Sequence, residues 1–260
     1  MKRNLHGARA IVTGASSGIG RETALELARH GVGLILVARR EDRLREVTDR
    51  IAAVGGTVEA VVGDVTDRAV RQQAIDAARE KLGGLDILVN NAGVGAMGLF
   101  VDADPERVRR LMEVNFFALV EMTRLALPLL QQGNRPIVVN VSSILGHRGV
   151  PYSSEYSASK SAVQGFSESI RAEFTKLGID VLVVSPGTTE TEFFDRVIER
   201  TADPKWPEHR PVSAAEVARQ VVRAIRKGKH EIIPYRWGRV LCRLNRFSPR
   251  LVDYLMTRYV

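Results

Sequence analysis

An apolar run, Ala8–Val12, leads straight into Thr13-Gly-Ala-Ser-Ser-Gly-Ile-Gly20. The next stretch, Glu22-Thr-Ala-Leu-Glu-Leu-Ala-Arg-His30, has apolar residues at helical spacing and stops at Gly31. A buried strand that turns over glycines into a helix is the opening of a βαβ unit, so it calls for a parallel sheet covered on both faces. The same alternation recurs along the chain. Apolar strands are expected at Gly33–Ala38, Thr57–Val62, Leu85–Val89, Pro136–Val141, Ile179–Val184 and His230–Ile233. Between them lie helical patterns at Glu41–Val54, Thr66–Leu82, Asp104–Leu130 and Glu155–Leu177, and one reaching Lys227 from the capping box Ser213-Ala-Ala-Glu216. With 260 residues and no internal repeat or low-complexity linker, the chain reads as one α/β domain.

Glycines at 14, 18 and 20 let backbone approach a ligand closely, and the helix behind them offers unpaired N–H groups to a pyrophosphate. A dinucleotide-binding unit commonly carries an acid about 20 residues further on, for a ribose hydroxyl. Here Arg39-Arg40 stands at that place, which favours a 2′-phosphate and hence NADP over NAD. Asp64, after the third strand, suits either a cap for the helix from Thr66 or a contact to the adenine. The fourth strand ends in Asn90-Asn91-Ala92-Gly93, small and polar enough for backbone to pass beside a flat ligand.

Tyr156 and Lys160 are four residues apart on a helix and so share a face. A nearby ammonium favours phenolate, which is expected to lower the Tyr156 pKa from about 10 and fit the phenol for proton exchange with a carbonyl or alcohol oxygen. Ser143, thirteen residues upstream, can hold the same oxygen. Asn115 falls inside a helical run, where asparagine is disfavoured unless its side chain bonds within the fold or serves a site.

Taken together, Thr13-Gly-x-x-x-Gly18-x-Gly20, Asp64, Asn90-Asn91-Ala92-Gly93, Asn115, Ser143, Tyr156-x-x-x-Lys160 and Pro186-Gly187 resemble the short-chain dehydrogenase/reductase family over residues 7–235. The resemblance implies a Rossmann-type, doubly wound, seven-stranded parallel sheet with helices on both faces. It implies an NADP(H)-dependent oxidoreductase interconverting a ketone or aldehyde and an alcohol. Tyr156 is then the acid/base, Ser143 polarises the substrate oxygen, Lys160 lowers the Tyr156 pKa and binds the nicotinamide ribose, and Asn115 holds a water. The cofactor contacts it implies are Gly14, Ser16, Ser17, Gly18, Ile19, Gly20, Arg39, Arg40, Asp64, Val65, Asn91, Ala92, Gly93, Val114, Tyr156, Lys160, Pro186, Gly187, Thr189 and Thr191. Thr189 departs from the aliphatic residue the family often has there. The family also implies a homodimer or homotetramer through the helices at Asp104–Leu130 and Glu155–Leu177.

Met97, Phe100, Leu145, Val150, Phe193 and Phe194 are candidate pocket walls, pointing to an acyl, steroid-like or other lipophilic carbonyl. His147 and Arg148 could meet an acidic group or face water, and residues 192–211 read as a substrate loop or a surface excursion. The five histidines show no metal-ligand spacing, and Cys242 alone fits a reducing compartment. No run is long and apolar enough to span a bilayer and the N-terminus lacks a signal-peptide core, so a cytoplasmic location is expected.

The net charge of +8 is uneven: residues 226–260 hold nine Lys/Arg and two acids, or +7, leaving +1 for the rest. A nearly neutral body argues against nucleic acid as partner. A scaffold or sensor that binds NADP without chemistry is the rival from another class, and the complete set Asn115, Ser143, Tyr156, Lys160 speaks against it. Residues 1–235 form the expected domain and 236–260 a basic helical extension. In that extension Arg236, Arg239, Arg243, Arg246 and Arg250 make one helical stripe beside Trp237, Val240, Leu241, Leu244 and Phe247. Ser248-Pro249 reads as the start of a further helix, Arg250–Val260. Paired stripes of this kind suit peripheral contact with an anionic membrane or acidic partner; the favoured reading is that the apolar stripe packs on the body or a second subunit and the arginines are solvated.

Overall fold

The computed structural model describes residues 2–193, 197–203 and 210–259. Seven strands form one parallel sheet: β1 (Arg9–Thr13), β2 (Gly33–Ala38), β3 (Val58–Val62), β4 (Ile87–Asn90), β5 (Ile137–Val141), β6 (Asp180–Val184) and β9 (Glu231–Ile232). Their order is β3-β2-β1-β4-β5-β6-β9, with every neighbouring pair parallel. Two short strands, β7 (Thr189–Glu190) and β8 (Val212–Ser213), pair separately.

The strands are nearly continuous apolar runs because both faces are covered. Side chains alternate across the sheet, so Ala10 and Val12 meet one core and Ile11 the other. The first core is closed by α1 (Gly18–Arg29), α2 (Glu41–Ala52) and α7 (Ala214–Lys227) through Leu27, Leu44, Val47, Val221 and Ile225. The second is closed by α3 (Arg68–Leu82), α5 (Ala118–Leu130) and α6 (Ser154–Thr175) through Ile75, Met122, Ala126, Ile170 and Phe174. Because β1 has β2 on one side and β4 on the other, the winding reverses there, leaving a crevice at the carboxyl ends of β1 and β4.

Two details differ from the sequence pattern. The run Asp104–Leu130 is not one helix: α4 (Arg107–Met112) passes into a π-turn, Glu113–Phe117, before α5 begins. Asp64 does not cap α3. It accepts bonds from the Thr66 N–H (2.9 Å) and hydroxyl (2.8 Å), while Asp67 caps the helix through the Ala69 N–H. The tail forms α8 (Arg236–Phe247) and α9 (Pro249–Met256), with Ser248 at the N-cap and Pro249 first in the helix. Among the described residues no helix is long and apolar enough to cross a membrane.

Candidate active site

The glycine turn closes on itself. Gly14 and Gly18 have φ of +65° and +53°, open to glycine at little cost. A Cβ on Gly20 would collide with the Gly14 carbonyl and the Asn91 amide, so Gly20 packs the turn from behind and does not border the cleft. Asn91 clamps the turn by donating from Nδ2 to the carbonyls of Thr13 (3.0 Å) and Gly14 (3.2 Å). Thr13 Oγ1 in turn accepts from the N–H groups of Asn91 and Ala92, both at 3.0 Å. Ser17 precedes α1 without a side-chain cap bond, leaving first-turn donors for an anion.

Arg40 lies over this turn: Nη2 donates to Ser17 Oγ (2.6 Å) and Nη1 to Glu192 (3.0 Å). Arg39 reaches Asp64 at 3.5 Å and is mostly solvated. A narrow turn, uncapped helix donors and a guanidinium beside them fit the phosphates of a dinucleotide.

At the other end of the same crevice β5 delivers Ser143, which caps a short 3-10 turn by accepting the Leu145 N–H at 3.1 Å. Ser143 Oγ also donates to the Pro186 carbonyl at 3.5 Å, and it lies near enough to the Tyr156 phenol to act on its pKa. Lys160 is buried one turn along α6, with Nζ 5.8 Å from the centroid of the Tyr156 ring. The expected lowering of the Tyr156 pKa does not hold for this cleft. Burial pushes the phenol up to about 12, against a smaller opposing effect of Ser143. The Lys160 ammonium is turned to the Val141 carbonyl (3.0 Å) and is itself pushed down to about 8 by burial.

Asn115 sits in the π-turn, and its side chain is spoken for. Oδ1 accepts the Val94 N–H (2.8 Å), while Nδ2 donates to the Val94 carbonyl (3.0 Å) and Ser159 Oγ (2.9 Å). It ties α6 to the backbone after β4 and acts by holding that geometry. A Cβ on Gly93 would lie 3.1 Å from Asn115 Oδ1 and 3.4 Å from Lys160 Nζ, so a side chain there would crowd Asn115.

The glycine turn, Arg40, Ser143, Tyr156 and Lys160 border one cleft of about 680 Å³, and Asn115 stands behind its wall. Apart from Gly20, every residue expected at the cofactor lines it, including Ile19, Val65, Val114, Pro186, Gly187 and Thr191. Thr189 also lines it, donating to the Gly187 carbonyl at 3.0 Å. Among the expected pocket walls, Met97, Leu145, Val150 and Phe193 border the cleft, with the Phe193 ring 5.8 Å from that of Tyr156. Phe100 does not: it is 72% exposed in a 3-10 turn. Phe194 lies outside the described residues. His147 and Arg148 do meet acids, but the chain's own: Glu231 at 2.7 Å and Asp253 at 2.7 Å.

Two contributions were not foreseen from the sequence. Trp237, Val240, Leu241 and Leu244 of α8, with Leu255, Met256 and Tyr259 beyond, wall the cleft mouth. Further, buried Arg107 holds Glu155 at 2.8 Å and Glu199 at 2.9 Å, bracing the residue before Tyr156 against the segment 198–201. That segment is laid along Gly95–Met97 by backbone bonds from Ile198 to Gly95 and from Met97 to Glu199.

The sequence model of the short chain dehydrogenase family matches residues 8–202. The chain belongs to the short-chain dehydrogenase/reductase family. This short-chain dehydrogenase/reductase is 34% identical over 256 residues to 11-beta-hydroxysteroid dehydrogenase A of Sesamum indicum, covering 94% of this chain and 73% of that protein. It is 35% identical over 255 residues to the hydroxysteroid 11-beta-dehydrogenase 1-like protein of Xenopus tropicalis, covering 96% and 86%. Among solved structures, a short-chain dehydrogenase/reductase from Burkholderia phymatum in complex with NAD superposes with a TM-score of 0.87 at 26% identity, covering 96% of each chain. A short-chain dehydrogenase from Burkholderia cenocepacia J2315 in complex with NADP gives 0.79 at 28%, covering 89% of this chain and 97% of that one. As a member, this short-chain dehydrogenase/reductase is a nicotinamide-dependent oxidoreductase acting on CH–OH donors.

Proposed function

We propose that the enzyme uses NADP(H) to interconvert a lipophilic ketone or aldehyde and its alcohol. The observation that carries the reading is the single cleft: Arg40 stands over the glycine turn at one end, and Ser143 and Tyr156 meet beneath apolar walls at the other. The hydroxysteroid dehydrogenase names of the relatives support a flat, apolar substrate.

The turn, the first donors of α1 and Arg40 would hold the phosphates; Thr189, Pro186 and Lys160, which line the same cleft, would meet the nicotinamide and its ribose. A bound NADPH supplies the hydride. In reduction Ser143 holds the substrate oxygen and Tyr156 donates its proton to it; in oxidation Tyr156 takes the proton back. Lys160, cationic at neutral pH with a pKa of about 8 and held by the Val141 carbonyl, would meet the ribose next to the nicotinamide. Phe193, Leu145 and the α8 wall keep water from the reacting oxygen. A second copy of the chain, docked through α5 and α6, completes the proposed assembly.

The test is turnover of ketones and secondary alcohols followed by nicotinamide absorbance. NADPH is expected to exceed NADH by at least about tenfold in kcat/KM, and Arg40→Asp to erase that margin. Tyr156→Phe should cut kcat on the order of 10²–10⁴-fold while NADPH binding persists. Wild-type turnover by Tyr156→Phe would sink the assignment.

A further inference from the structure

The helices that wall the cleft mouth, α8 and α9, also turn large apolar side chains to solvent. On these helices Trp237, Val240, Phe247, Leu251 and Tyr254 are 45–84% exposed. Trp237 and Val240 also line the cleft, so two apolar side chains face both solvent and the cavity. Beside it stand exposed Arg236, Arg239, Arg243, Arg246 and Arg250, and none of the five makes an ion pair among the described residues. Residues 236–260 hold six arginines against one acid, Asp253, and Arg148 of the body already pairs with it.

A surface that combines unpaired arginines, an apolar strip and an exposed tryptophan and tyrosine matches an interface between anionic headgroups and acyl chains. It does not match an acidic peptide, which would leave the aromatics in water. We propose that the outer face of α8–α9 docks on an anionic lipid surface and that an apolar substrate enters the cleft from it. The surface is a further property of the chain; only the entry route rests on the hydride-transfer reading.

The experiment is sedimentation of the full-length protein with phosphatidylcholine vesicles, with and without phosphatidylserine, at low and high salt. Wild type should sediment with the anionic vesicles alone, and release at high salt. Each arginine at such a surface is worth about fivefold in partitioning. Arg239→Glu/Arg243→Glu/Arg246→Glu should therefore weaken binding on the order of 100-fold, and Phe247→Asp should weaken it as well. Both variants should keep wild-type turnover of a water-soluble substrate, which separates a failure of docking from a failure of catalysis or folding. Equal sedimentation of wild type and the triple variant would overturn the proposal. So would wild type remaining in the supernatant, or Phe247→Asp converting an oligomer to a monomer in light scattering, which would assign the face to a second copy.

Discussion

Tyr156 and Lys160 illustrate how burial can override a favourable pairing. Four-residue spacing puts both on one face of α6, and that much follows from the sequence alone. Where the ammonium points does not, because it depends on the Val141 carbonyl, supplied by a strand 19 residues away. In the cofactor-free protein the phenol keeps its proton to about 12, while Lys160 releases its own near 8. The two act oppositely on stability. Between about 8 and the ordinary lysine range the unfolded chain binds more protons, so the Lys160 contribution raises stability as pH rises. Between the ordinary tyrosine range and about 12 the folded chain binds more, so the Tyr156 contribution lowers stability as pH rises. An ultraviolet difference titration of wild type against Tyr156→Phe, without cofactor, should show this phenol ionising only well above pH 10. Lys160→Met should leave that titration nearly unchanged. A midpoint near neutrality, lost in Lys160→Met, would restore the lysine as the controlling charge.

At the scale of elements, helices and strands were legible to within a few residues because their apolar periods are regular; their breaks were not. Asn115 marked an anomaly in the run Asp104–Leu130, yet nothing local says that it opens a π-turn. The turn exists because Asn115 satisfies Val94 and Ser159 from other elements, which repays the irregular backbone. Arg107 was illegible for the same reason. Its partners Glu155 and Glu199 are 48 and 92 residues away, beyond any helical spacing. A guanidinium with 1% exposure is not a surface ion pair, and removing its charge leaves two carboxylates facing each other in a poorly solvated place. Arg107→Met should therefore cost about 3 kcal/mol in urea unfolding, and should lower kcat by loosening the start of α6 beside Tyr156. A loss below about 1 kcal/mol would mean that water screens the cluster.

For the whole molecule, the seven apolar runs and the glycine turn specified the parallel sheet and the crevice at its reversal. The tail behaved differently. Its stripes announced an amphipathic helix, but α8 packs at Gly238 on Ile144 and shares a cleft with residues around 18, 97 and 189, which only the folded sheet brings together. What holds α9 there can be decided by magnitude. Asp253 meets Arg148 at 2.7 Å, but its side chain is 63% exposed, so the pair is worth about 0–1 kcal/mol. Val252, next to it, is fully buried, and at about 0.8 kcal/mol per CH₂ its truncation to alanine removes about 1–2 kcal/mol. The apolar anchor should therefore dominate. Hydrogen exchange over residues 249–259 is expected to speed up strongly in Val252→Ala and only slightly in Asp253→Asn, with protection of the central strands intact in both. KM for a lipophilic substrate should rise in the same order while KM for NADPH stays level, because α9 borders the cleft mouth and not the glycine turn. Faster exchange in Asp253→Asn than in Val252→Ala would make the ion pair, not the buried valine, the latch on the cleft.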